Sequence, residues 1–313
     1  MELRQLEYFV AVVETGSFSL AAERCNITQP SLSQQIIKLE NEIGQQLFDR
    51  LGRGILLTEV GKILYPRARS ILSDVQQAHA AVTNRYSPAE GHVAIGIIPT
   101  LGPYLLRDTI RQFKEAYPDA RLIIHEDTTN VLLTKLMNAE LDVCYISLPI
   151  ERQQVVTEEC FVEPLYVAIE RHHELAAQPS IPAHRLKTTP FIQLTDKNCL
   201  SDQLEAFCYV QKIDPPIVYH TTQLATALEF VRLGMGIPLT PACAAATYPH
   251  DDIRFLTISD NPPGRVIVAA RHRARAASLL DRGFTHYFTQ TWNSLNTIQA
   301  AAPPATEFFT QPS

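Results

Sequence analysis

Residues 16–50 read GSFSLAAERCNITQPSLSQQIIKLENEIGQQLFDR and decide how the N-terminal part of the chain folds. Ser17 can cap a short helix, whose small side chains at 21–22 let a second helix approach closely. Thr28 is placed as the N-cap of that second helix, and Pro30 is tolerated there because it falls in the first turn. The stretch therefore predicts two helices joined by a tight turn.

The second predicted helix is amphipathic. Its apolar stripe, within about 60° on a helical wheel, consists of Leu32, Ile36, Leu39 and Ile43. The opposite face carries amides and hydroxyls with little charge: Pro30, Ser31, Ser33, Gln34, Ile37, Lys38 and Asn41. A DNA major groove accepts one helix, and Gln or Ser near the helix N-terminus can bond base edges. Any small helical domain also shows one apolar stripe, so the wheel alone leaves both interpretations open.

The first 60 or so residues resemble the winged helix-turn-helix of LysR-type bacterial regulators. The resemblance rests on Leu6, Phe9, Gly16-Ser17-Phe18, Ala21-Ala22, Thr28-Gln29-Pro30-Ser31-Leu32-Ser33, Ile36, Leu39, Glu40, Gly44, Leu47-Phe48 and Leu57-Thr58. It implies that Gln29, Ser33 and Gln34 contact base edges. It also implies that Arg50 and Arg53 contact the DNA backbone or belong to the wing. We expect Pro30, Ser31 and Lys38 on the same DNA-facing surface.

Composition indicates a multidomain globular protein, since 313 residues with 46% apolar content can bury two or three cores. No basic segment leads into a long apolar run, so we expect a cytoplasmic protein that does not bind membranes. Six cysteines in a chain of this size do not form a dense disulfide framework. We find no phosphate loop, Ser/His/Asp arrangement or zinc spacing, and expect no metal, no cofactor and no enzymatic activity.

The net charge of −6 is unusual for a DNA-binding protein, but the charge is unevenly distributed. Residues 1–89 contain nine Lys or Arg and nine Asp or Glu, so the whole deficit falls on residues 90–313. Residues 50–69 carry a local charge of +4. Contact with DNA phosphates is therefore expected there.

The predicted domains follow the chain in order. Residues 1–58 form the winged helix-turn-helix, and residues 59–86 form a helix with a heptad seam that predicts a two-stranded coiled coil and a dimer. The seam consists of Leu57, Gly61, Leu64, Ala68, Ile71, Val75, Ala78 and Val82. The alternative is a helix packed on its own domain. Residues 87–91 are predicted to be a hinge, and residues 299–313, which are Pro-rich, a disordered tail.

Residues 92–298 alternate strand and helix patterns, which predicts an α/β effector domain with parallel sheets and helices on both faces. We expect one subdomain at about 92–163 with 266–298, and a second at 164–265. The arrangement resembles the effector module of LysR-type regulators, which is similar to periplasmic binding proteins. The compact motif in this later part is GMGIPL at 234–239.

Two threonines, Thr100 and Thr129, follow predicted strands at the start of helices. Hydroxyls at the carboxyl ends of strands are where open α/β sheets bind small ligands. Simple helix capping is the alternative explanation for both.

The segment Asn198-Cys199-Leu200-Ser201-Asp202-Gln203 is followed by Cys208. Asn198 as an N-cap would place Cys199 in a first helical turn, where amides and the dipole favour a thiolate. Peroxide can oxidise a thiolate to a sulfenic acid, which a second thiol converts to a disulfide. On one helix, however, Cys199 and Cys208 are about 13 Å apart along the axis, whereas a disulfide needs Cα atoms within about 7 Å. Formation of the disulfide must therefore unwind the helix. The alternative interpretation is that both cysteines are simply buried hydrophobic residues.

This segment resembles the peroxide-sensing, OxyR-type branch of the LysR family. The resemblance implies a peroxide site and switch formed by Thr100, Thr129, Cys199, Asp202 and Cys208. Asn198 and Ser201 stand where that branch usually has His and Arg, so Cys199 is expected to react more slowly or with another oxidant. The remaining four cysteines are interpreted as structural: Cys25, Cys144, Cys160 and Cys243.

The leading hypothesis is a LysR-type regulator that binds double-stranded DNA as a dimer of dimers, meets RNA polymerase and changes its DNA contacts when Cys199 and Cys208 join. In a second hypothesis, a small organic metabolite binds near Thr100 and Thr129. A thiol peroxidase and a solute-binding protein belong to other classes, and neither explains residues 1–85.

Overall fold

The computed structural model describes residues 1–51, 54–83, 91–195 and 199–299. Contacts divide the chain into two units, Met1–Pro88 with Thr134–Leu141, and Ala89–Leu133 with Asp142–Ser313. Within the described residues, none of the helices combines the length and the apolar character needed to span a membrane. Several predicted features fall outside the description: Arg53, residues 87–90 of the hinge, Asn198, the tail from residue 300 and the side chain of Arg50.

The N-terminal part of the chain forms a winged helix-turn-helix, as predicted. Its strands pair as an antiparallel hairpin. The elements are α1 (Leu3–Thr15), α2 (Phe18–Arg24), α3 (Gln29–Ile43), β1 (Phe48–Leu51), β2 (Gly54–Leu57) and α4 (Glu59–Thr83).

Local sequence explains both ends of the helix-turn-helix. The Ser17 side chain accepts a hydrogen bond from the Leu20 N–H and so caps α2. Thr28 occupies the N-cap of α3 but makes no capping bond, because its hydroxyl pairs with the Ser31 hydroxyl at 2.8 Å. Gly44 ends α3 in the left-handed conformation with φ of 75°. The predicted N-cap positions of both helices, Ser17 and Thr28, are confirmed.

Helix α4 differs from its predicted role over its first half. Gly61 and Ala68 are buried, and Leu64 and Ile71 pack against the core of the helix-turn-helix. These seam positions therefore face their own unit, as in the alternative interpretation, because the α1 surface beside them is apolar. Val75, farther along the seam, is 41% exposed. Dimerisation through the second half of α4 stays a prediction.

Residues 91–299 alternate strands and helices. Two short 3₁₀ turns, Glu174–Ala177 and Ala183–Lys187, interrupt the alternation. The elements are β3 (His92–Ile97), α5 (Gly102–Ala116), β4 (Arg121–Glu126), α6 (Thr129–Met137), β5 (Val143–Ser147), β6 (Val155–Glu170), β7 (Ser180–Ile181), β8 (Phe191–Leu194), α7 (Cys199–Gln211), β9 (Ile217–Thr221), α8 (Leu224–Arg232), β10 (Leu239–Pro241), α9 (Ala242–Thr247), β11 (Ile253–Ile258), β12 (Gly264–His272) and α10 (Leu279–Gln299).

The main sheet is mixed rather than parallel, which corrects the prediction. Its strand order is β4-β3-β5-β12-β6-β11-β7, with β10 also paired to β6. Strands β4, β3 and β5 are parallel, but β12 runs antiparallel to both β5 and β6. The return of β12 to the first strands is as predicted, and α10 packs against α5. A separate two-stranded parallel sheet joins β8 and β9.

Strand β6 crosses the boundary predicted between the two subdomains. It starts at Val155, not at Pro164, and pairs with β12 over its first part and with β10 and β11 over its last part. Beyond it, apolar residues from β8, α7, α8 and β11 form one buried core. Because β6 pairs with strands of both predicted subdomains, it belongs to both of them.

Candidate functional site

A buried ion pair between Arg265 and Glu163 forms the base of the candidate site. The two residues are direct cross-strand partners on β12 and β6, and both side chains are 0% exposed. Arg265 Nε and Nη2 lie 2.8 and 2.7 Å from Glu163 Oε2. Burial opposes the charge of Arg265, but the carboxylate of Glu163 more than compensates, so the pKa of Arg265 is raised. The guanidinium is therefore a fixed cation.

Thr100 connects this cation to the loop after β3. Arg265 Nη1 donates to Thr100 Oγ1 at 2.7 Å, and Nη2 donates to the Thr100 carbonyl at 3.2 Å. The Thr100 side chain is almost fully buried. Because its oxygen accepts from Arg265, its own hydroxyl proton can point elsewhere.

Cys199, the first residue of α7, lies against both groups. Arg265 Nη1 donates to Cys199 Sγ at 3.3 Å, and Thr100 Oγ1 is 3.6 Å from the same sulfur. The residue is half-buried. The Cys199 sulfur therefore lies within reach of a buried cation and a hydroxyl.

Cys208 lies in a different environment on the same helix. Its side chain packs against the apolar core of β8, α7 and α8. Burial, with help from Asp214 and Glu205, raises the pKa of the Cys208 thiol to about 11. Both cysteines are thiols here, and α7 is continuous from Cys199 to Gln211. Nine residues along a helix separate them by about 13 Å.

The other predicted pocket residues are placed differently from one another. Ser201 is buried and donates to the carbonyls of Leu194 and Thr195, the latter at 3.3 Å, so its hydroxyl is bonded to the end of β8. Asp202 is exposed in the first turn of α7, and partial desolvation raises its pKa. Thr129 is half-buried as the first residue of α6. The roles of Asp202 and Thr129 in the pocket stay predictions.

Sequence analysis missed three members of the site. Arg265 and Glu163 sit in strands whose pattern gives no chemical signal, and they meet only through the register of β6 and β12. Cys243, interpreted as structural, is fully buried at the start of α9, and its sulfur lies 3.6 Å from the Thr100 carbonyl.

The candidate DNA interface is the outer face of α3. Leu32, Ile36 and Leu39 are fully buried, so the opposite face is left to solvent as predicted. Its exposed residues are Gln29, Pro30, Ser31, Gln34, Ile37, Lys38 and Asn41, with Ser33 half-buried. Across the described residues, no cluster of three or more His, Cys, Asp or Glu is arranged to hold a metal ion.

Comparison with known families agrees with this architecture. Residues 3–62 match the bacterial regulatory helix-turn-helix proteins of the LysR family, and residues 87–293 match the LysR substrate binding domain. The chain belongs to the LysR family of bacterial transcriptional regulators.

Within this family the chain is similar to OxyR proteins. It is 34% identical to the DNA-binding transcriptional dual regulator OxyR of Escherichia coli K12 over 268 residues, which cover 85% of this chain and 88% of that protein. A full-length OxyR variant from Pseudomonas aeruginosa superposes with a TM-score of 0.77 at 27% identity, covering 93% and 94% of the two chains. An H₂O₂-bound OxyR mutant from Corynebacterium glutamicum gives a TM-score of 0.65 at 27% identity, covering 96% and 95%. The predicted resemblance to the OxyR-type branch is confirmed.

Proposed function

We propose that this protein is a peroxide-responsive transcriptional regulator in which Cys199 is the sensing thiol and Cys208 the resolving thiol. The observation that carries the proposal is the position of Cys199 Sγ, 3.3 Å from the Arg265 guanidinium and 3.6 Å from the Thr100 hydroxyl. The similarity to OxyR proteins, one of them with H₂O₂ bound, supports the same conclusion.

The chemistry follows from these contacts. A Cys199 thiolate attacks one peroxide oxygen, the O–O bond breaks, and the leaving hydroxide takes a proton to become water. Arg265 and the Thr100 hydroxyl can hold the peroxide oxygens and the developing charge. Cys208 then attacks the sulfenic sulfur, which releases a second water and forms the disulfide.

The step that follows couples the chemistry to DNA. Because α7 keeps the two cysteines about 13 Å apart, the disulfide forms only after the helix unwinds between them. Unwinding rearranges the surface that α7 contributes, and such a discrete change can alter how subunits of a dimer or tetramer present α3 to DNA. Gln29, Ser33 and Gln34 would read base edges, with Pro30, Ser31 and Lys38 on the same face and Arg50 and Arg53 at the backbone or wing.

Peptide mapping of the full chain tests the proposal. Trypsin releases residues 198–212 as one peptide that contains both Cys199 and Cys208. After limited H₂O₂, this peptide should lose two hydrogens, and the DNA footprint should change in parallel. Cys199→Ser and Cys208→Ser should abolish both changes, whereas Cys144→Ser, which removes a buried thiol on β5, should abolish neither.

A footprint that still responds to peroxide in Cys199→Ser would refute the sensor assignment. A melting shift caused by an organic metabolite, insensitive to reductant and retained in Cys199→Ser, would favour the metabolite-binding hypothesis instead.

A further inference from the structure

A second thiol lies inside the same pocket as Cys199. Thr100 contacts both sulfurs, since its hydroxyl oxygen is 3.6 Å from Cys199 Sγ and its carbonyl oxygen is 3.6 Å from Cys243 Sγ. Arg265 donates to that hydroxyl and to that carbonyl through Nη1 and Nη2. Both sulfurs therefore contact Thr100, and Arg265 binds the same two Thr100 oxygens that the sulfurs contact.

Cys243 is held there by the ion pair of the pocket. Its backbone N–H donates to Glu163 Oε1 at 2.8 Å, while Glu163 Oε2 binds Arg265. Strand β10, which leads into Cys243, is paired to β6, the strand that carries Glu163. Cys243 is thus placed by the same sheet that places Arg265, independently of α7.

The charge state of Cys243 suits a secondary rather than a primary role. Burial, with Glu163, raises the pKa of the Cys243 thiol well above its ordinary value, although Arg265 opposes this. The thiol therefore keeps its proton and is a poor first target for peroxide, because peroxide reacts with thiolates. Attack on a Cys199 sulfenic acid also requires the Cys243 sulfur to give up its proton, and the leaving hydroxide takes that proton as the S–O bond breaks.

We propose that Cys243 is a second resolving thiol for Cys199, which forms an intrapocket disulfide when Cys208 does not reach the sensing residue. The inference rests on the proposed function. Its sequence starts from Cys199 sulfenic acid, made by H₂O₂. The Cys243 sulfur attacks the Cys199 sulfur, the S–O bond breaks, and the hydroxide leaves as water with the thiol proton. Overall, two thiols are oxidised and one H₂O₂ is reduced to two waters.

The two disulfides differ in what they require of the fold. Joining Cys199 to Cys208 needs α7 to unwind over about 13 Å. Joining Cys199 to Cys243 requires the two sulfurs to close across Thr100, which each of them contacts at 3.6 Å, and this bond does not span residues 200–211 of α7. The intrapocket disulfide therefore defines an oxidised state that protects Cys199 from further oxidation without the rearrangement that changes DNA contacts.

Tryptic fragments distinguish the two bonds. Cys199 and Cys208 share the peptide 198–212, whereas Cys243 falls in the peptide 233–254. The full chain carrying Cys208→Ser is treated with limited H₂O₂, alkylated and digested without reductant. We expect peptides 198–212 and 233–254 to be linked in this variant. We also expect dimedone, which traps sulfenic acids, to label Cys199 at least about fivefold less than in Cys208→Ser/Cys243→Ser.

Cys144→Ser in the Cys208→Ser background is the matched control. Cys144 is also fully buried, and its sulfur likewise lies 3.6 Å from a carbonyl, that of Leu132. This control should retain the linked peptides. The Cys208→Ser measurement itself leaves Cys243 intact, so the linked peptides are scored without relying on how Cys243→Ser folds.

Equal dimedone labelling of Cys199 with and without Cys243, and no linked peptides, would overturn the inference while leaving peroxide sensing by Cys199 intact. An absence of any Cys199 oxidation in Cys208→Ser and in the wild-type protein would overturn the inference together with the proposed function. The two failures are therefore distinguishable in one experiment.

Discussion

Replacement of Arg265 by Met tests whether the pocket depends on its buried ion pair. The change keeps most of the side-chain volume but removes both contacts to Glu163 Oε2, at 2.8 and 2.7 Å. It also removes the donors to the Thr100 hydroxyl and carbonyl. Glu163 would keep the N–H of Cys243 as a donor but would lose its only cationic partner among the contacts described here.

The magnitude follows from the complete burial of both charges. Removing one partner of a buried pair costs about 3 to 5 kcal/mol, because the remaining charge is left uncompensated. For a domain of 150 to 250 residues, each kcal/mol lowers the Tm by about 2 to 4 °C. Arg265→Met is therefore expected to lower the Tm of the effector domain by about 6 to 20 °C. The double variant Arg265→Met/Glu163→Gln should lose far less than the sum of the two single variants, because it buries no unpaired charge.

Thermal unfolding of the four proteins of this cycle, followed by circular dichroism, is the assay. Arg232→Gln is the control for loss of an arginine at the surface, because its ion pairs with Asp252 and Glu229 are solvent-exposed; its Tm should barely change. If Arg265→Met is as stable as the wild type, or if the double variant loses the full sum of the single variants, the ion pair does not hold the pocket together.

Two further predictions concern other parts of the molecule. Burial raises the pKa of Asp142, although the Ala94 N–H donates to its carboxylate at 2.8 Å. Because the pKa of Asp142 is higher in the folded than in the unfolded protein, the ionised carboxylate destabilises the fold as pH rises above about 4. Asp142→Asn should therefore raise the Tm at neutral pH, and this gain in Tm should shrink on acidification. A gain in Tm that does not depend on pH would contradict the prediction. A Cβ at Gly61 would come within 2.3 Å of the Leu47 carbonyl oxygen. Gly61→Ala should therefore lower the free energy of unfolding of the winged helix-turn-helix by about 1 to 3 kcal/mol. Denaturant unfolding measures this loss, with Lys62→Ala at an exposed position as the control, and an unchanged midpoint would contradict the prediction.

The winged helix-turn-helix could be predicted from the sequence because the residues that mark its helix ends act locally. Ser17, Pro30 and Gly44 mark helix ends through their own backbone chemistry, and the stripe from Leu32 to Leu39 fixes the buried face of α3. The packing of α4 was harder to predict, since a heptad seam looks the same whether its partner is another chain or α1. Burial of Gly61 and Ala68 answers that question for the first half of α4, and dimerisation through the second half stays a prediction.

The alternation of strands and helices in the effector domain was predictable from the sequence, but the order and direction of the strands in the sheet were not. Residues 156–159 are all exposed and include two glutamates, so no apolar run marks the first half of β6. Glu163 and Arg265 are 102 residues apart in sequence, and only the antiparallel register of β6 with β12 makes them partners. The predicted helix start and the resemblance to the OxyR-type branch pointed to Cys199 and Cys208, whereas the cation beside Cys199 comes from β12, to which the sequence analysis assigned no role in the site.

The separate contributions of the Arg265 pocket and of helix α7 determine the free-energy cost of the proposed switch. When Cys199 leaves the pocket, Arg265 keeps Glu163 and Thr100 as partners, so the pocket loses the two contacts of the Cys199 sulfur, at 3.3 and 3.6 Å, and remains assembled. The larger cost lies in α7, where Leu200, Leu204 and Phe207 are 2%, 4% and 6% exposed and would leave the core on unwinding, at about 1.5 to 3 kcal/mol for each side chain fully exposed. In the proposed switch, the free energy of disulfide formation would have to exceed this cost, so the apolar anchoring of α7 would set how readily oxidised Cys199 reaches the Cys208 disulfide. Arg265 would instead act on the first step, because its charge lies beside the Cys199 sulfur before the helix moves.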